Sequence, residues 1–366
     1  MKISIARSEL LDALSVVSKG MSARSTLPIL SGILLTAEEG EIKLQSTDLE
    51  VSIRHRSPAL IEQDGQIVIP GKLFTDIVRS LPEAAVTIET EGETAHIRCQ
   101  QSSFTVKTLK PADFPKFPEV QVEKSISLPS ETLVSMVRQV SRAVSRDETR
   151  AILTGILLII EGPSIKMVAT DSYRLAVREV ILEKPAGEDV EVVVPGKALE
   201  EVTRLGAGSE TVVLGISENQ IVFEFGSTVF VTRRIEGTFP NYKQLIPKES
   251  ETHAIVSGEE LSAAVKRVSL MALHNTPLKI SVNVEDQTLS LSATTQDIGD
   301  ASEDLMVKAE GKDVEIAFNH AFLMDGLNSS GTDSVRLEVQ SALKPGLLKS
   351  VETEGFLYLL MPVRLG

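Results

Sequence analysis

Apolar residues recur at i, i+4, i+7 and i+11 three times along the chain, first at Leu10, Leu14, Val17 and Met21. The set returns at Leu133, Val137, Val140 and Val144, and again at Leu261, Val265, Val268 and Ala272. This spacing follows one face of a 3.6-residue period, so each set predicts an amphipathic helix. A serine and a glutamate near each start suit a helix N-terminus. Shorter helical patterns follow at 72–81, 197–205 and 320–327, which brings the prediction to six helices. Between them the period drops to two. Runs such as 41–45, 211–224 with a turn at Glu218-Asn219, and 288–291 alternate apolar with polar between Gly, Asp and Glu turns. They predict strands, and the strands outnumber the helices.

The order of these patterns is itself repeated. Ser31-Gly32-Ile33-Leu34-Leu35 returns as Thr154-Gly155-Ile156-Leu157-Leu158, and Thr47-Asp48 as Thr170-Asp171, both after 123 residues. Pro70-Gly71-Lys72 returns as Pro195-Gly196-Lys197, and Phe114-Pro115 as Phe239-Pro240, both after 125. A more diverged third copy starts near residue 250, with 276–295 matching the strand pair and Phe318-Asn319-His320 standing where the Pro-Gly-Lys turns stood. Three copies of 122 residues fill the 366. Proline-rich stretches at 109–120 and 237–250 interrupt regular structure and set domain limits at 1–120, 121–248 and 249–366. Each domain is then α+β, two helices backed by sheet. Sheet edges that meet the next copy would hold the repeats in series.

Composition is that of a folded protein, with 42% hydrophobic and 24% charged residues. The net charge of −14 excludes a broad basic surface that grips nucleic acid directly. That charge is unevenly placed: the six helical stretches carry +3 and the remainder −17. Arg138, Arg142 and Arg146, four apart, predict a cationic stripe on the third helix, with Arg24, Lys72, Lys197, Lys266 and Arg267 on or beside the others. A lone Cys99 and an N-terminus without a signal-peptide core place the chain in a reducing, cytoplasmic setting, with no membrane span. Catalytic patterns are missing. The Gly-Lys pairs lack the leading glycine of a phosphate loop, and Gly206-Ala207-Gly208 meets Thr211 where a dinucleotide fingerprint needs glycine. His55, His96, His253, His274 and His320 lack metal-site spacing and read as surface or strand histidines, so no metal or cofactor is expected. The repeated Thr-Asp reads as turn chemistry. An enzyme on a repeated β-rich scaffold and a plain interaction scaffold remain as alternatives to a DNA-associated role.

Four segments narrow the choice: Thr26-Leu27-Pro28-Ile29-Leu30 after Arg24, Ala169-Thr170-Asp171-Ser172-Tyr173-Arg174-Leu175-Ala176, Phe239-Pro240-Asn241-Tyr242, and the ending Leu360-Met361-Pro362-Val363-Arg364-Leu365. With the threefold repeat, the chain resembles the bacterial sliding clamps, the beta subunits of DNA polymerase III, over its whole length. The resemblance implies a head-to-tail homodimer that closes six domains into a ring, helices lining the hole and sheets forming the wall. Double-stranded DNA would be held by topology, without sequence preference. The polymerase catalytic subunit, an ATP-driven clamp loader, and other polymerases and repair proteins would be the partners. Family DNA contacts carry over to Arg24, Lys72 and Lys197, to which the stripe adds Arg138, Arg142 and Arg146.

The resemblance also implies a pocket for a short peptide bearing glutamine and large apolar side chains. It would comprise Leu153, Thr170, Tyr173, Arg174, Leu175, Pro240, Leu245, Leu359, Met361, Pro362, Val363 and Arg364, an apolar floor with a few polar groups that set register. At the dimer seam, Phe104 and Val106 would meet Leu270 and Met271, with Asp297, Asp300, Glu303 and Asp304 as acidic partners.

Overall fold

All three long apolar stripes fold as helices that stop one turn before their periodicity does. The computed structural model describes residues 1–22, 27–185, 187–273 and 276–364. Among these the α-helices are α1 (Arg7–Val17), α2 (Gly71–Ser80), α3 (Ser130–Val140), α4 (Gly196–Gly206), α5 (Gly258–Val268) and α6 (His320–Ser330). A tight 3-10 turn follows each long helix, at Ser18–Gly20, Ser141–Ala143 and Ser269–Met271, so Met21, Val144 and Ala272 lie beyond it. In α1 the cause is visible: Ser18 donates its hydroxyl to the Leu14 carbonyl at 2.6 Å and competes with helix continuation. The displaced residues then pack against the repeated glycines. A Cβ on Gly71 would come within 2.0 Å of Met21 Sδ, and one on Gly196 within 3.1 Å of Val144. The Pro-Gly-Lys repeat is therefore a packing device.

The helix starts differ from expectation. α5 shows the serine cap, with Ser257 Oγ accepting from Glu260 N at 3.3 Å, whereas α1 starts at Ala6 without a side-chain cap bond. At α6, Asn319 Oδ1 accepts from the Ala321 and Phe322 amides, and Gly331 at φ +63 closes the helix.

The chain divides into two compact units, Met1–Glu131 with Glu201–Arg234, and Thr132–Glu200 with Ile235–Gly366. All strand pairs are antiparallel. In the first unit, an eight-stranded sheet runs in the order 124–129, 211–216, 220–225, 228–233, 51–58, 41–47, 32–38 and 65–70. It crosses from one copy to the next where Val51–Pro58 pairs with Thr228–Arg233. In the second unit, a nine-stranded sheet crosses in the same way where Arg174–Ile181 pairs with Phe356–Leu360. Sheet edges thus join successive copies, as the repeat predicts. Two sheets stay within one copy: a five-stranded sheet in the first unit ending on Ser102–Lys107, and a four-stranded sheet in the second ending on Gly299–Met306.

The cores follow the periodicities. Leu10, Leu14 and Val17 of α1, Leu133, Val137 and Val140 of α3, and Leu261, Val265 and Val268 of α5 are all buried, as is Cys99. His55, His96 and His253 lie on strands and His320 opens α6; His274 is outside the described residues.

Candidate functional site

The repeated Thr-Asp makes the same turn in both units. Asp48 Oδ1 accepts from Glu50 N at 3.0 Å and Val51 N at 2.7 Å, and Asp171 Oδ1 from Tyr173 N at 2.9 Å and Arg174 N at 3.0 Å. The threonine hydroxyls donate to the Val51 and Arg174 carbonyls, and they accept from Leu49 N and Ser172 N. Leu49 and Ser172 take matching left-handed conformations at φ +78 and +81. Turn chemistry accounts for both carboxylates. Each turn leads into the strand that crosses to the next copy.

In the second unit this turn forms one side of the candidate groove. Met361 N donates to the Tyr173 carbonyl at 2.9 Å, and Val363 N to the Ala317 carbonyl at 2.8 Å, which lays the tail beside the turn. Tyr173, Met361, Val363 and Arg364 are exposed and Pro362 is half-buried, and Pro240 and Leu245, in the proline-rich stretch, are exposed too. Tyr173 keeps 61% of its surface exposed. Leu153, Thr170, Leu175 and Leu359 are buried, and Leu175 and Leu359 belong to a core cluster with Leu157, Val168, Val193, Phe239 and Tyr242.

Arg174 is the best-anchored side chain of the set. Its Nε donates to Asp171 Oδ2 at 3.0 Å; its Nη1 donates to Asp325 Oδ2 at 2.6 Å and to the Tyr358 hydroxyl at 3.2 Å. The guanidinium lies 4.4 Å from the Phe322 ring centre, and that ring stacks on Tyr173 at 6.3 Å. Burial opposes the Arg174 charge, but Tyr358, Asp325 and Asp171 outweigh it and hold the guanidinium above its ordinary range. Burial likewise pushes the Tyr358 phenol up, more strongly than Arg174 pulls it down. Arg174 is thus an internal brace at 10% side-chain exposure rather than a free polar contact. Phe322, Asp325 and Tyr358 escaped the sequence reading. The i, i+3 spacing of Phe322 and Asp325 on α6 was the only local sign that they share a face.

Beside the turn, Arg150 donates to Asp147 Oδ2 at 2.9 Å and to Ser172 Oγ at 2.9 Å. Hydrogen bonds from Thr149 and Arg150 hold the Asp147 carboxyl below the usual carboxylate range.

The cationic candidates are distributed otherwise than predicted. Arg138, Arg142 and Arg146 form no helical stripe: only Arg138 is on α3, Arg142 is in the 3-10 turn, and Arg146 is in the extended segment beyond. Val144 turns extended at φ −65, ψ 137, and Ser145 N donates to the Leu153 carbonyl at 2.9 Å, which unwinds the helix path. Arg138 and Arg146 are exposed; Arg142 pairs with Asp325 Oδ1 at 3.2 Å. Lys72 is exposed on α2. Lys197, in the first turn of α4, is 94% exposed and 3.7 Å from an equally open Glu148, a contact of little energetic weight. Arg24 lies outside the described residues.

The proposed seam residues also divide. Leu270 is 72% exposed, Met271 and Phe104 are half-buried, and Val106 is buried, facing inward opposite Ala95. Glu303 is already held by Arg267, whose Nε donates to it at 2.9 Å. Among the described residues, no group of three or more His, Cys, Asp or Glu side chains is placed to hold a metal, and no helix is long and apolar enough to cross a membrane.

Comparison with known proteins gives a consistent result. Models of the N-terminal, central and C-terminal domains of the DNA polymerase III beta subunit match residues 1–118, 127–241 and 243–364. The beta sliding clamp of Streptomyces coelicolor is 38% identical, with both chains covered completely. The crystal structure of the DNA polymerase sliding clamp from Bacillus subtilis superposes with a TM-score of 0.94 at 31% identity, again over the whole of both chains. The DNA polymerase III beta subunit of Pseudomonas aeruginosa, solved bound to griselimycin, superposes at 0.95 with 28% identity and the same full coverage.

Proposed function

The chain belongs to the DNA polymerase III beta subunit family, the bacterial sliding clamps, and from that premise we propose that it closes as a head-to-tail homodimer around double-stranded DNA. It is a non-catalytic processivity factor that keeps DNA polymerase III on its template. The observation that carries the ring is the pattern of sheet edges. Two junctions inside the chain join a third-hairpin strand of one copy to a post-turn strand of the copy before it, 228–233 with 51–58 and 356–360 with 174–181. By the repeat, 102–107 is the remaining strand of the first kind and 299–306 the remaining one of the second. Both end their sheets. Pairing 102–107 of one chain with 299–306 of another repeats the same junction, and doing so twice leaves no such edge open. Lys107 and nearby Arg98 face that contact on one side, Asp300 and Asp304 on the other. Leu270 and Phe104 supply apolar cover, and Val106 supports its strand from the core.

The three domains of the proposal are 1–120, 121–248 and 249–366. DNA is held by enclosure, and Lys72, Arg138, Arg142, Arg146, Lys197 and Arg24 supply weak phosphate contacts that suit sliding on an acidic protein. The groove of Tyr173, Pro240, Leu245, Met361, Pro362, Val363 and Arg364, over Leu153, Thr170, Leu175 and Leu359 and braced by Arg174, takes the peptide of the polymerase catalytic subunit, the clamp loader or repair proteins in turn. The protein would work in the cytoplasm. Retention of the loaded protein on nicked circular DNA, with release on linearisation, tests the ring. Equal loss from circles and linear DNA would refute it.

A further inference from the structure

Asp325 is shared between two arginines that the proposed function puts to different uses. Its Oδ2 accepts from Arg174 at 2.6 Å and its Oδ1 from Arg142 at 3.2 Å. Arg174 is nearly enclosed and braces the aromatic wall of the groove through Phe322, whereas the Arg142 side chain is 48% exposed on the 3-10 turn after α3. The carboxylate itself is 29% exposed. One anion thus sits between an enclosed cation and a half-exposed one.

We propose that Asp325 is a positioning residue that couples the peptide groove to phosphate engagement at Arg142. The inference rests on the proposed function, which gives the groove its peptide and Arg142 its phosphate. With both arginines in place, Asp325 divides its charge between them. A DNA phosphate that draws Arg142 away leaves both carboxylate oxygens to Arg174, in a form matching the two-oxygen, two-nitrogen geometry that arginine favours. Arg174 is then held more firmly against Phe322, and the Tyr173–Phe322 wall is better ordered before a peptide arrives. Less ordering remains for the peptide to impose, so it binds more tightly. Linkage makes the effect reciprocal: peptide in the groove favours phosphate at Arg142 by the same factor. Asp171 cannot play this part, because its Oδ1 is committed to the turn amides and, among the described residues, no second arginine shares its carboxylate with Arg174.

The test uses the full-length dimer and a fluorescein-labelled peptide containing Gln-Leu-Ser-Leu-Phe, with anisotropy read at low salt with and without a short duplex DNA. In the wild type, the duplex should tighten peptide binding about fivefold, the low end of ordinary couplings. Arg142→Ala should tighten it by a similar factor without DNA and abolish the further response to duplex. In Asp325→Asn, neither the duplex nor an added Arg142→Ala should change peptide affinity, while Asp325→Glu, which keeps the charge, should recover part of the response. Circular dichroism verifies folding, and the Asp325→Glu comparison keeps the test decisive if Asp325→Asn unfolds. Peptide binding by the wild type that ignores both duplex and Arg142→Ala would overturn the coupling alone. A response that survives unchanged in Asp325→Asn would do the same. No peptide binding by the folded wild type would overturn the groove assignment, and the coupling with it.

Discussion

Asp48 and Asp171 provide a built-in control for the worth of the Arg174 brace. Both make two bonds to turn amides, and only Asp171 also pairs with an arginine, at 13% side-chain exposure. Asp48→Ala removes turn bonds from a half-buried site and should cost the first unit about 1 kcal/mol. Asp171→Ala removes the same bonds and one arm of a buried ion pair. Asp325 and Tyr358 still hold Arg174, so the loss belongs near the low end for broken buried pairs, about 3 kcal/mol. The protein has no tryptophan, and all three tyrosines, Tyr173, Tyr242 and Tyr358, lie in the second unit. Tyrosine fluorescence in urea therefore follows that unit selectively. At an m value of about 2.5 kcal/mol/M, Asp171→Ala should lower the tyrosine midpoint by about 1.2 M. Asp48→Ala should leave that midpoint in place and shift only the circular dichroism transition. A tyrosine-detected shift for Asp171→Ala no larger than the dichroism shift for Asp48→Ala would refute the idea that the arginine pair stabilises this unit.

Three further outcomes follow from the geometry. Glycine inside a helix normally invites stabilisation by alanine, but a Cβ on Gly326 of α6 would stand 2.7 Å from the Tyr358 ring, so Gly326→Ala should destabilise by about 1–3 kcal/mol in thermal melts. Leu359→Ala should cost about 2–5 kcal/mol of stability because it opens a core cavity, while Met361→Ala should weaken peptide binding about tenfold with little effect on melting; equal stability losses would contradict the division between support and surface. Burial alone would raise the Glu179 carboxyl, yet hydrogen bonds from Ser164 at 2.8 Å and the Lys166 contact at 3.2 Å outweigh it and hold it below the ordinary range. With the folded value depressed, its contribution is complete above the ordinary glutamate range and fades as pH falls through the lower folded value; the stability gap between wild type and Glu179→Gln should close in acid, and a gap constant with pH would refute the assignment.

Much of this architecture was readable in the chain because repetition turns weak local signals into strong ones. A single Thr-Asp is an ordinary turn, but two of them 123 residues apart with matching neighbours mark equivalent strand junctions. What stayed hidden depends on contacts that no local period records. Arg174 and Asp325 are 151 residues apart and meet only because sheet and helix stack. Arg138, Arg142 and Arg146 looked like one stripe because the spacing assumed a helix, and a 3-10 turn ended it after Val140. Leu175 and Leu359 oppose each other across the crossing strands, and a register that only the paired strands set decides which face each side chain takes.

The two internal junctions share one backbone frame and carry different side chains on it. Val51 opposes Thr232 as Arg174 opposes Leu360, and Arg233 N donates to the Glu50 carbonyl as Met361 N does to that of Tyr173. The side chains that follow differ in kind. The first unit carries the exposed Glu50 and Arg233, charged groups 3.9 Å apart, where the second presents Tyr173 and Met361. A solvated ion pair gives an apolar peptide little to bury, since its charges keep their water. An aromatic ring and a thioether, flexible and polarisable, offer area that association removes from water. The backbone junction joins successive copies in both places, and under the proposed function these two side-chain positions suit only the second to an apolar peptide.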